Sequence, residues 1–152
     1  MCGDWPPRIS VGGALAVMSP SLPINKSLIT GSSWQLFGRL LFKDVGGGSS
    51  MATHAIYVPD SPLWVEMIRV HLDNCVVKIH EAGDLTKPAA ESPLWATLSL
   101  KPVEHVGIES VMYELERPVK TEVGDDGIIG RRVSIWLRES TESLSEGIVG
   151  FN

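Results

Sequence analysis

Apolar and polar residues alternate most regularly along VKTEVGDDGIIGRRVSIWLR, positions 119–138. In its second half Val133, Ile135 and Leu137 fall on one side of an extended chain and Arg132, Ser134, Trp136 and Arg138 on the other, because successive strand side chains point to opposite faces. The Asp125-Asp126-Gly127 step suits the positive φ of a tight connection, so the pattern predicts an antiparallel hairpin. Shorter runs predict further strands at 51–58, stopped by Pro59-Asp60, at 75–80, where Cys75, Val77 and Ile79 alternate inward, and at 95–100, ending at Pro102.

Other stretches read differently. In SSWQLFGRLLFKD, Ser32 can cap while Trp34, Phe37 and Leu41 with Leu36 and Leu40 recur at helical spacing, which predicts a short helix over 33–43. Apolar residues surround most of its circumference, so it must pack against something. Residues 62–73 fit a helix slightly better than a strand, with Leu63, Trp64, Met67, Ile68 and Leu72 opposite Glu66, Arg69 and Asp73. Residues 103–117 fit either, through Ile108, Val111, Met112 and Leu115 or through Val111, Tyr113 and Leu115. Two helices here imply a ferredoxin-like α+β layer. Two strands imply a β-sandwich or barrel, and the 15 glycines and 10 prolines favour this mainly β form, of antiparallel sheets with one or two short helices.

The organisation expected is an extended Pro/Gly/Ser-rich arm at 1–31, a short helix and Gly-rich joint at 32–50, a globular β-rich domain at 51–140, and a polar tail with an apolar end at 141–152. The arm suits an edge strand laid across the domain or a neighbouring subunit, since proline is tolerated only at a sheet edge. The tail, ending in Ile148, Val149 and Phe151, suits a docking strand for a partner's sheet. Ser-Pro-Leu-Trp occurs at 61–64 and again at 92–95, but the residues that follow do not match, and no repeat is built on it.

Charge and cysteine content narrow the classes. A net charge of −5, with Arg131-Arg132 as the sole arginine pair, offers no basic surface for nucleic acid. Cys2 and Cys75 form neither a disulfide framework nor a metal motif, and a reducing, cytoplasmic setting is expected. No apolar run reaches the ~20 residues of a transmembrane helix. Asp4, Trp5 and paired prolines ahead of VGGALAVM argue against a secretory leader, which leaves the sequon Asn25-Lys26-Ser27 without an expected role.

No catalytic constellation stands out. Cys75 with His71 or His80 as base and Asp73 as orienter would make a cysteine hydrolase or transferase, whereas an inward Cys75 is an ordinary small apolar core residue. Met1-Cys2-Gly3 resembles amidotransferases with an amino-terminal cysteine nucleophile in those three letters alone. His54, His71, His80 and His105 lack zinc-ligand spacing, and Asp125-Asp126 with Glu122 supplies too few oxygens for calcium, so no cofactor or metal is expected. Gly46 to Ser50 lacks the lysine and following helix of a phosphate loop. The glutamates at 104, 109, 114 and 116 read as a soluble face.

Five tryptophans exceed the average share, and Trp136 falls on the polar side of its strand beside Arg132 and Arg138. Tryptophan and arginine together are the composition of interface centres, so something must cover this indole. The sequence thus points to a non-enzymatic protein-binding or structural subunit that self-associates, such as a viral or phage structural or matrix-type protein. The expected contacts are Trp136, Arg132, Arg138, Ile148, Val149 and Phe151. The alternatives are the Cys75 enzyme and a small-ligand carrier with a tryptophan-lined cavity.

Overall fold

The structure, a computed structural model, describes residues 12–21, 37–46, 50–61, 65, 69, 75–103, 109–141 and 143–152. Eight strands, β1 (Ala14–Pro20), β2 (Gly38–Lys43), β3 (Met51–Pro59), β4 (Cys75–His80), β5 (Leu94–Pro102), β6 (Val111–Lys120), β7 (Arg132–Leu137) and β8 (Ser143–Phe151), form a closed barrel. Around it they run β1-β2-β3-β6-β5-β4-β7-β8, every neighbouring pair antiparallel. The mainly β, barrel-like reading of the sequence therefore holds.

Period-two alternation decides what enters the barrel. Ala14, Ala16 and Met18 point inward from β1, Leu40 and Phe42 from β2, and Ala55 and Tyr57 from β3 beyond a register shift between Ala52 and His54. Cys75, Val77 and Ile79 meet them from β4, Leu98 and Leu100 from β5, Val111, Tyr113 and Leu115 from β6, and Val133 and Ile135 from β7. Ala14 on β1 and Ala55 on β3 flank the larger Phe42 on β2, while Leu40 sits between Ala16 and Tyr57, so big and small side chains interdigitate. At Gly147 a Cβ would lie 2.3 Å from the Val17 carbonyl oxygen, so this position on β8 admits no side chain.

Several expectations need correction. Over 38–43 the helix expected at 33–43 is strand β2, because Gly38, Leu40 and Phe42 share the inner face at a spacing of two. Residues 33–36 lie outside the described residues, as do Cys2, the sequon and most of 62–73, of which Val65 and Arg69 are described and helical. The ambiguous 103–117 stretch is strand from Val111 onward. The expected arm supplies β1 and the expected tail supplies β8, and these two strands pair with each other, from Ala14 opposite Phe151 to Pro20 opposite Ser145. Both belong to the barrel itself.

The expected hairpin does not form. β6 pairs with β3 and β5, while β7 pairs with β4 and β8. The connection between them crosses one end of the barrel, with its positive φ angles at Gly124 and Gly130 and none at Gly127. Ile128, fully buried, fills that end. Arg131 pins the crossing segment through Nε to the Gly127 carbonyl (2.7 Å) and its terminal nitrogens to the carbonyls of Asp125 and Glu81 (both 2.8 Å), its guanidinium stacked 4.7 Å from the Trp95 ring.

Candidate functional site

On β7 the outward residues Arg132, Ser134 and Trp136 are as buried as the inward Val133 and Ile135. Their cover is the chain's own β4–β5 connection, residues 81–93, which folds back over this wall and carries a 3-10 turn at Ala89–Glu91. Buried Ala89 clusters with Val76 and Trp136, leaving the indole 3% exposed, and Lys78 places its ammonium 3.9 Å from the centre of the ring.

Arg132 holds the segment down. Its Nε and one terminal nitrogen donate to the Glu146 carboxylate on β8, while the other terminal nitrogen donates to the carbonyls of Asp84 (2.9 Å) and Lys87 (2.7 Å). Beside it runs a chain of polar groups from the indole to the covering segment. Trp136 Nε1 donates to Ser134 Oγ (2.7 Å), which is 2.7 Å from His80 Nε2, and His80 Nδ1 is 3.2 Å from the Ser92 carbonyl.

One proton arrangement satisfies every member of this chain. Indole is a donor alone and the Ser92 carbonyl an acceptor alone. His80 therefore carries its proton on Nδ1, and Ser134 donates its hydroxyl proton to Nε2. Burial holds the imidazole below its ordinary pKa, an effect reinforced by Arg132 and Lys78 and opposed by the Ser92 hydrogen bond and Glu146. The arrangement resembles a serine–histidine pair, but Ser134 and His80 are both inaccessible and the Ser134 oxygen is already engaged by the indole. It is a satisfied structural network.

The sequence-derived contact set divides accordingly. Trp136 and Arg132 are sealed by their own chain, so the covering body they were expected to require is residues 81–93. Val149 points into the barrel, Ile148 is half-buried, and Arg138 and Phe151 are exposed. Cys75 faces the interior and His80 the outer wall, five residues and roughly 16 Å further along the strand. That geometry rules out a Cys75–His80 pair. His71 lies outside the described residues. Among the described residues no group of three His, Cys, Asp or Glu side chains is arranged to hold a metal ion, and no helix is long and apolar enough to cross a membrane.

A second feature was not visible in the sequence. Register aligns Leu15, Leu41, Ile56 and Met112 in one row across the outer faces of β1, β2, β3 and β6. All four are half-buried, and Val17, one step along β1, is 68% exposed. The only signal for such a row is the strand order. No family model and no curated protein matches the chain.

Proposed function

We propose that this chain is a non-enzymatic barrel that works through protein contacts and associates with copies of itself through the outer face of β1, β2, β3 and β6. The observation that carries the reading is the row Leu15–Leu41–Ile56–Met112, extended by Val17 and by Val58 opposite Arg39. A closed barrel has no strand edge to offer, so its contacts must use side-chain faces. An outward apolar row is the kind of surface that association removes from water.

The charges around the row favour a second copy as the partner. Lys43 and His54 follow it on β2 and β3, and Glu114 on β6 pairs with His54 in register. A twofold axis parallel to the strands sets β2 of one copy against β3 of the other and β1 against β6. The apolar rows then meet, and Lys43 of one copy lies opposite His54 of the other, with Glu114 of that copy one strand further along the row. Within the subunit Glu114 has an exposed, 3.9 Å contact with Lys101, too screened to compete strongly.

Size-exclusion chromatography with light scattering over a concentration series tests this. The full chain is expected to run as a dimer or larger, and Leu41→Glu and Ile56→Glu as monomers with unchanged far-UV circular dichroism. A wild-type chain that stays monomeric at its highest soluble concentration would overturn the reading.

A further inference from the structure

The segment over Trp136 is held unevenly along its length. Its first half is pinned by Arg131 to the Glu81 carbonyl and by Arg132 to the carbonyls of Asp84 and Lys87. From Pro88 to Ser92 the attachments to the wall are the apolar contact of Ala89 and the His80–Ser92 hydrogen bond, and Pro93 beyond them is held by its carbonyl, which accepts from the Glu81 amide (2.9 Å). Ala90, Glu91 and Pro93 are exposed, and Ser92 is half-buried. We propose that residues 88–92 form an acid-released strap over His80, whose opening lets water reach the protonated ring and bares the Trp136 indole.

The mechanism follows from the proton arrangement. Protonation places a hydrogen on His80 Nε2, facing the hydroxyl hydrogen that Ser134 donates there. Ser134 must then accept from both the imidazolium and the indole, and its own proton loses its acceptor. The charged ring also lies buried among like charges, Arg132 on β7 and Lys78 on its own strand. Glu146 on β8 is the acid facing it, and Nε and one terminal nitrogen of Arg132 already engage that carboxylate.

The group of the connection that favours the charged ring is the Ser92 carbonyl, which accepts from Nδ1–H in either protonation state. The Asp84 carboxylate is turned to the backbone amide and hydroxyl of Thr86, and Glu81, Lys87 and Glu91 are exposed. Breaking the Ser92 bond and lifting 88–92 lets the imidazolium reach water while the Arg131 and Arg132 pins stay in place. The proposal does not depend on self-association.

The test follows the indole N–H resonances of the full-length, 15N-labelled protein from pH 8 to 4.5, with Trp136 assigned by its absence in Trp136→Phe. Below the ordinary imidazole value, Trp136 N–H protection, corrected for intrinsic exchange, is expected to fall at least tenfold. The far-UV signal should hold, and the His80 ring should titrate with the same midpoint. His80→Gln, which cannot take up the proton, should abolish the transition. Lys78→Met, a change at a half-buried site that removes a repelling cation, should move the midpoint to higher pH, which keeps the test open if the His80 variant fails to fold. Protection unchanged to pH 4.5, loss of protection only together with loss of the sheet signal, or a midpoint unmoved in Lys78→Met would overturn the proposal.

Discussion

Replacing Arg132 with methionine removes the ion that joins β7, β8 and the β4–β5 connection. The guanidinium is 1% exposed and the Glu146 side chain 12% exposed, so the pair lies largely outside bulk solvent. Truncating one partner of such a pair leaves the other charge desolvated and uncompensated, at a cost of about 3–5 kcal/mol. For a chain of this length that lowers Tm by roughly 10 °C. The carbonyls of Asp84 and Lys87 also lose their donor, but both residues are exposed and water replaces it. Most of the cost therefore comes from Glu146, and the double variant Arg132→Met/Glu146→Leu should recover most of it. Urea unfolding of wild type, both single variants and the double variant measures this directly. A loss below about 1 kcal/mol in Arg132→Met would mean that the pair is screened like a surface bridge. A double variant no more stable than Arg132→Met would place the cost in the segment's lost hydrogen bonds, and either result would refute the argument.

Four further outcomes are expected. A chain ending at residue 140 lacks β8, leaves β1 and β7 each without one partner, and should not fold; dispersed amide resonances from it would contradict the barrel. Gly127→Ala puts a Cβ 1.8 Å from the Glu122 carbonyl oxygen and should cost about 1–3 kcal/mol in urea unfolding, whereas Gly46→Ala, whose nearest neighbour is a side-chain oxygen at 3.3 Å, should be close to neutral. The stability contributed by neutral His80 should be complete above about pH 6.5 and decline as pH falls toward its lower folded value, because the unfolded chain takes up the proton first; His80→Gln should flatten this slope in urea midpoints. Cys75, fully buried in the barrel, should resist alkylation in the folded protein at neutral pH, read by mass spectrometry of its peptide; rapid labelling would reopen the enzyme reading.

Local alternation made much of the sheet legible. Cys75, Val77 and Ile79 face inward as the sequence indicates, and Trp136 falls on the opposite side of its strand from Val133 and Ile135. What alternation cannot carry is pairing between strands distant in sequence. Residues 143–151 read as a tail because ESTESLSEG is polar and small, yet Ser145 and Gly147 are inward barrel positions, and at Gly147 no side chain fits. The helical reading of 33–43 came from apolar residues on every side, and β2 explains this differently. Leu40 and Phe42 fill the interior, while Leu41 joins an outer row that exists only once β1, β3 and β6 are in place.

The interface reading of Trp136 failed for a related reason. An aromatic among arginines on a polar strand face does require a cover, and the physical argument for one stands. No pattern marks EAGDLTKPAAES as the cover, since the stretch has no large apolar residue other than Leu85, itself exposed. Its hold on the wall comes from backbone carbonyls, which carry no side-chain signature, and it is Arg132, Arg131 and His80 that reach them. Arg132, which reads as an anchor for a partner, thus serves as an anchor for a loop. The same donor geometry suits either role, because a neighbouring backbone presents the same row of acceptors whether it arrives from another molecule or from 45 to 50 residues earlier in the chain.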